Sequence, residues 1–175
     1  MPHDARVIAN FLLDYGADKR QPVTILSLLK ILFFAHAWHL AKTGRPLIGQ
    51  PFEAWKYGPV SRVVYDQFKS SGEQPISARA TVLNVVTAQY EVAQWKSLDS
   101  DTAKLLRDVF DYYSHFHPFR LSDLTHEKGA PWDVVWTEAT RRAVPGMIIS
   151  DDSIRDWFQK SRPLLRSVGD QGWLT

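Results

Sequence analysis

Six histidines are the most versatile side chains of this chain, and two pairs of them, His36 with His39 and His115 with His117, are close enough in sequence to meet on one metal ion. His36 and His39 lie three residues apart, on one face of any helix that contains them. No Glu follows the first of them, as the His-Glu-x-x-His arrangement needs for its general base. The chain has no cysteine, which removes thiolate zinc clusters, disulfides and a cysteine nucleophile together. Core or boundary histidines are therefore expected, with no metal and no cofactor.

His126 stands apart because Glu127 follows it and a Gly129-Ala-Pro-Trp132 turn comes next. With Glu127 or Asp123 it would make acid–base machinery, or with His115 and His117 a metal site. One imidazole and one carboxylate supply neither a nucleophile nor an oxyanion site, so a polar loop anchor is the better expectation. Neither Gly-x-x-x-x-Gly-Lys nor Gly-x-Gly-x-x-Gly occurs, and Gly-x-Ser-x-Gly is also missing. The motif search thus yields no catalytic residue.

Trp55, Tyr57 and Trp132 flank a Gly-Pro or an Ala-Pro turn. Large aromatics with one polar edge are favoured anchors at protein interfaces. With seven Trp in 175 residues, some should lie near the surface, and these three are the candidates for partner contact.

The elements that must hold these residues follow from apolar spacing. Val7, Ile8, Phe11, Leu12 and Tyr15 predict a helix capped by Asp4 and stopped by Gly16. Thr24 caps a second helix, apolar on nearly every side up to Gly44, which belongs at the centre of the core. Residues 51–60 read as one short strand with Phe52, Ala54 and Lys56 on one side. Gly58-Pro59 then turns the chain into a helix from about Val60 to Lys69. Residues 74–98 carry one or two strands of irregular spacing.

Asp99 or Ser100 caps a helix through Tyr113, and shorter helices follow at 119–125 and from Val134 to a stop before Pro145. Ile148-Ile149 is an apolar entry to a last helix, capped at Ser150 or Asp151 and ended by Pro163. Leu164 to Thr175 is expected as a loosely held tail. The fold class is α+β: a mostly helical single domain, residues 1–163, with a central buried helix and a small antiparallel β element.

Composition agrees. An apolar fraction of 45% and an aromatic fraction of 13% belong to a chain that packs. A domain of this size buries about 70% of its unfolded surface, enough for one core. Lys30, His36 and His39 break the best apolar run, Ile25 to Leu40, and no signal-peptide pattern opens the chain, so a cytoplasmic protein away from membranes is expected. The net charge is +2. Arg141-Arg142 and the cluster from Arg155 to Arg166, interleaved with acids, read as solvated faces, and nucleic acid is not an expected partner.

Three stretches together resemble a known family. They are Leu29-Lys-Ile-Leu-Phe-Phe-Ala-His-Ala-Trp38; Pro51-Phe-Glu-Ala-Trp-Lys-Tyr-Gly-Pro-Val60 with Val64-Tyr65 and Phe68-Lys69; and Leu121-Ser-Asp-Leu-Thr-His126 with Pro131-Trp132. The chain resembles the Panacea domain, also called the SocA-like or phage-associated GepA family, in order and spacing over residues 5–160. The resemblance implies an antitoxin without catalytic activity that binds and neutralises a protein toxin encoded beside it, a toxin that differs widely between members. One relative instead hands its toxin to a cytoplasmic ATP-dependent protease as an adaptor.

Two departures fall beside the likeliest functional loops. Ser61-Arg62 stands where relatives carry an apolar residue and Pro, and a Glu-Lys-Gly-Ala insert separates His126 from Pro131. The expected toxin-binding surface comprises Trp55, Tyr57, Gly58, Pro59 and Arg62 from the first turn, with His126, Pro131 and Trp132 from the second.

Overall fold

The computed structural model describes residues 1–160. The expectations for Pro163, for the boundary at 163, for Arg162 and Arg166 of the basic cluster and for the tail from Leu164 lie outside the described residues.

The helix expected at the centre is there. α2, Ile25–Thr43, starts at Thr24, whose side chain accepts from the Ser27 amide, and ends at Gly44 in the left-handed region. By length and composition it could cross a membrane, but two thirds of its apolar window is buried inside the fold. It packs against α1 (Ala5–Asp18), α3 (Arg62–Phe68), α4 (Ser100–Tyr113), α5 (Pro118–Thr125), α7 (Asp151–Lys160) and the strand β2 (Gly58–Ser61). Aromatic rings knit this core. Phe34 stacks on Tyr113 with centroids 4.1 Å apart, and Phe33 meets Phe52 and Phe158 edge-on.

α1 begins at Asp4 as expected but runs past Gly16. Gly16 is no stop signal. A Cβ there would lie 2.9 Å from the Phe110 ring, so the glycine lets α1 approach α4 closely.

The segment read as one strand is a hairpin: β1, Phe52–Trp55, pairs antiparallel with β2. Trp55 faces Gly58, so Lys56-Tyr57 forms the turn and Gly58-Pro59 lies within β2 rather than turning into a helix. Helix α3 accordingly starts at Arg62, after Val60. β5, Ile148–Ile149, pairs with the other edge of β1 and gives the order β2-β1-β5, where the sequence had implied only an apolar entry. A two-residue strand has no pattern of its own to read.

β3 (Thr81–Asn84) and β4 (Gln89–Val92) form a separate antiparallel hairpin. Asn10 of α1 fastens its base: Nδ2 donates to the carbonyls of Ala80 and Ala93, and Oδ1 accepts from the Ala80 amide.

α4 is capped by Asp99, α5 starts at Pro118, α6 covers Pro131–Arg142, and Ser150 Oγ accepts the Ser153 amide in the first turn of α7. Arg141 and Arg142 pair with Glu138, and Arg155 with Asp152 and Asp156, as expected of solvated helix faces.

The histidine pairs do not converge. His36 is buried, its Nδ1 accepting the Ile48 amide and its Nε2 donating to Asp151 at 3.0 Å, which fixes the tautomer. His39 Nδ1 lies 2.7 Å from the Arg45 carbonyl. His115 is exposed, and His117 caps α5. Among the described residues no three potential ligands gather.

Candidate functional site

The two segments singled out in the sequence meet around the β1–β2 turn, and side chains from three helices hold its backbone. Trp132 Nε1, from α6, donates to the Trp55 carbonyl at 2.8 Å. Ser122 Oγ, from α5, donates to the Tyr57 carbonyl at 2.7 Å. Lys30 Nζ, from α2, donates to the Pro59 carbonyl at 2.9 Å. Alternate carbonyls of one five-residue stretch are thus each fixed by a different helix. Buried carbonyls left unpaired are costly, so this arrangement determines where the turn sits.

Glycine is required at the middle of this clamp. Gly58 has φ +108°, and a Cβ there would stand 2.6 Å from Thr125 Oγ1 and 2.7 Å from Lys30 Cε. Thr125 Oγ1 donates in turn to the Ser122 carbonyl, closing α5 beneath the turn.

Lys30 is fully buried, and burial alone pushes its amine down to about 7. His126, just beyond α5, is half-buried and stacks on Trp132 with centroids 3.7 Å apart. Its Nε2 is buried with no hydrogen-bond partner among the described residues. Burial first, then the nearby Lys30 charge, holds this imidazole below the usual histidine range, against the opposing pull of Asp123 and Asp133.

The outer face differs in character. Tyr57 is 52% exposed at the tip, with the Lys56 ammonium 5.3 Å from its ring centroid. Arg62 forks onto Glu53, Nε to Oε1 at 2.9 Å and Nη2 to Oε2 at 2.7 Å, and its guanidinium lies over the Trp55 ring. Trp55 donates its Nε1 to the same carboxylate and packs edge-on against Tyr65.

The eight expected residues thus divide. Tyr57 and Arg62 face solvent, Trp55 and His126 are half-buried, and Gly58, Pro59, Pro131 and Trp132 are buried. Sequence reasoning missed Lys30, Ser122 and Thr125 as members of the site. The signal for Lys30 was present, a cation inside an apolar helix, but it had been read only as an interruption of the run. Beside α6 an apolar groove of about 500 Å³ runs along Pro131, Val134, Val135, Ile148 and Trp157.

A second surface was not anticipated. In the β3–β4 register, Thr81 faces Val92 and Leu83 faces Tyr90, so these four share one side of the ribbon. Leu83, Tyr90 and Val92 are exposed, as are Val85 and Val86 at the tip.

The site is thus one backbone turn clamped by three helices, with Tyr57 and Arg62 on its solvent side. The sequence profile of the family described as Antitoxin SocA-like, Panacea domain, matches residues 28–133, a span that includes Lys30, the turn, Ser122, His126, Pro131 and Trp132. Antitoxin SocA of Caulobacter vibrioides (strain NA1000 / CB15N) is 35% identical over 156 residues, covering 89% of this chain and 82% of that protein. No solved structure matches. The chain belongs to the SocA-like antitoxin family, as the resemblance of its motifs implied.

Proposed function

We propose that this protein is an antitoxin that neutralises a cognate protein toxin, encoded by a neighbouring gene, by binding it directly in the cytoplasm. The observation that carries the reading is the three-carbonyl clamp, which fixes the turn so that Tyr57, Lys56 and Arg62 face solvent in one arrangement. A preorganised aromatic and arginine pair loses little entropy on docking, and such residues dominate the energetics of interfaces. A standard interface buries about 1,600 Å² in total, so contacts must extend beyond the turn, with the α6 groove adjoining it through Pro131.

The test is inducible expression of the neighbouring reading frame with and without this protein, scoring growth and co-purification. Rescue with a stable complex, lost in Tyr57→Ala or Arg62→Ala, supports direct binding through this turn. Rescue lost instead in Leu83→Ser or Tyr90→Ser moves the contact to the β3–β4 ribbon. Rescue without a complex and with falling toxin levels identifies delivery to a protease. A toxin that persists, stays unbound and is still neutralised would revive a His126-dependent activity. No toxicity in the first place would remove the reading.

A further inference from the structure

We propose that Lys30 and the Pro59 carbonyl form a proton-linked latch on the β1–β2 turn, in which the closed turn disfavours the protonated amine and proton uptake favours the turn that is open to water. The geometry carries the case. Lys30 has no solvent exposure, and among the described residues its hydrogen-bond partner is one backbone carbonyl. A charged ammonium has three N–H donors and a large desolvation cost when buried, whereas a neutral amine is content with one good contact. Gly58 lies directly against Lys30 Cε, so the turn cannot lift without exposing this side chain.

The surroundings offer the charge no relief. On β2, Lys30 lies against Gly58 and donates to the Pro59 carbonyl, its one hydrogen bond among the described residues. The titratable neighbour is His126, which carries an opposing rather than a compensating charge when protonated. Asp123 and Asp133 act on that imidazole, and no acidic side chain of the described residues ion-pairs with Lys30. The amine is accordingly pushed down to about 7 in the closed turn, from an ordinary lysine value of 10.5.

The sign follows from proton linkage. Between those two values the open turn binds one more proton than the closed turn, so each unit of falling pH raises the opening constant by up to about tenfold, and the effect levels off below about 7. From pH 8 to pH 7 the increase is about fivefold. Acidification within the range of living cells therefore loosens the turn.

Amide hydrogen exchange of the full chain reads this directly. Protection factors of Gly58, Val60 and Ser61 are measured between about pH 6.5 and 9, within the regime where exchange reports the opening equilibrium. Protection should climb with pH in the wild type and stay level in Lys30→Met, which keeps the volume without the proton. Ser122→Ala, which removes a neighbouring donor that does not titrate, should lower protection yet keep the slope. A level profile in the wild type, or the same slope in Lys30→Met, overturns the latch. If Lys30→Met fails to fold, the NMR titration of the Lys30 side chain decides: a midpoint near 7 supports the latch, and one above about 9.5 defeats it. No toxin enters this experiment, so toxin docking through another face would leave the latch standing.

Discussion

The imidazole of His126 lies flat on the indole of Trp132, 3.7 Å between centroids and 15° from parallel, while that same indole donates to the carbonyl of Trp55. One histidine thus braces the side chain that holds the turn. The packing brings His126 and Trp132 together although a loop separates them.

This contact makes the fold pH-sensitive in a defined window. Because burial holds the folded imidazole below its usual range, the unfolded chain binds the proton more readily, and the contribution of neutral His126 is lost as pH falls through about 6.5 toward the folded value. Urea denaturation at pH 8, 6 and 5 should show a steeper loss in the wild type than in His126→Phe, which keeps a ring on Trp132 but cannot titrate. Equal pH profiles would remove His126 as the cause. Lys30 acts between about 7 and 10.5, so the two windows do not overlap.

Gly58→Ala should cost about 3 kcal/mol, combining a strained positive φ with a Cβ driven into Thr125 and Lys30. Gly44→Ala has a positive φ but nothing within 4 Å, so it isolates the conformational part and should cost about 1 kcal/mol. Thermal or urea unfolding compares them, and equal costs would mean that the crowding at Gly58 relaxes freely.

Partner contact and structural support are separable by substitution. Trp132→Ala should destabilise the fold by about 3–5 kcal/mol, so failure of that variant to rescue reports unfolding rather than a lost contact. Tyr57→Ala and Arg62→Ala should stay within about 1 kcal/mol of the wild type, since both side chains are largely exposed. If the turn is the toxin contact, each should weaken the complex by roughly tenfold or more, measured by calorimetry.

Asn10→Ala should cost about 2–4 kcal/mol, because it orphans the Ala80 amide and the Ala93 carbonyl in a buried site, while the Ala80 carbonyl keeps the Ala93 amide. Its local signature is faster amide exchange through β3 and β4 while α2 stays protected. A variant of wild-type stability would show that water replaces the asparagine.

Much of the fold was legible because the signals for it are local. Asp4, Thr24 and Asp99 cap their helices as read, and Gly44 ends α2. Glycine misled twice where its reason was not local: Gly16 answers to Phe110 across a helix interface, and Gly58 to Lys30 and Thr125 across the site. β5 was invisible because two residues form a strand only when β1 is already there to pair with.

The sequence by itself determined the central apolar helix, the helix starts, the absence of cysteine chemistry and the family, since each is carried by residue type and spacing along one stretch. Only the tertiary structure decided that Trp132 and Pro59 are buried supports while Tyr57 and Arg62 face out, and that Lys30, which looked like a blemish in an apolar run, reaches the Pro59 carbonyl. The reason is physical. A side chain's exposure and a carbonyl's donor depend on which distant elements pack together, and residues 30, 59, 122 and 132 become neighbours only once the core has formed.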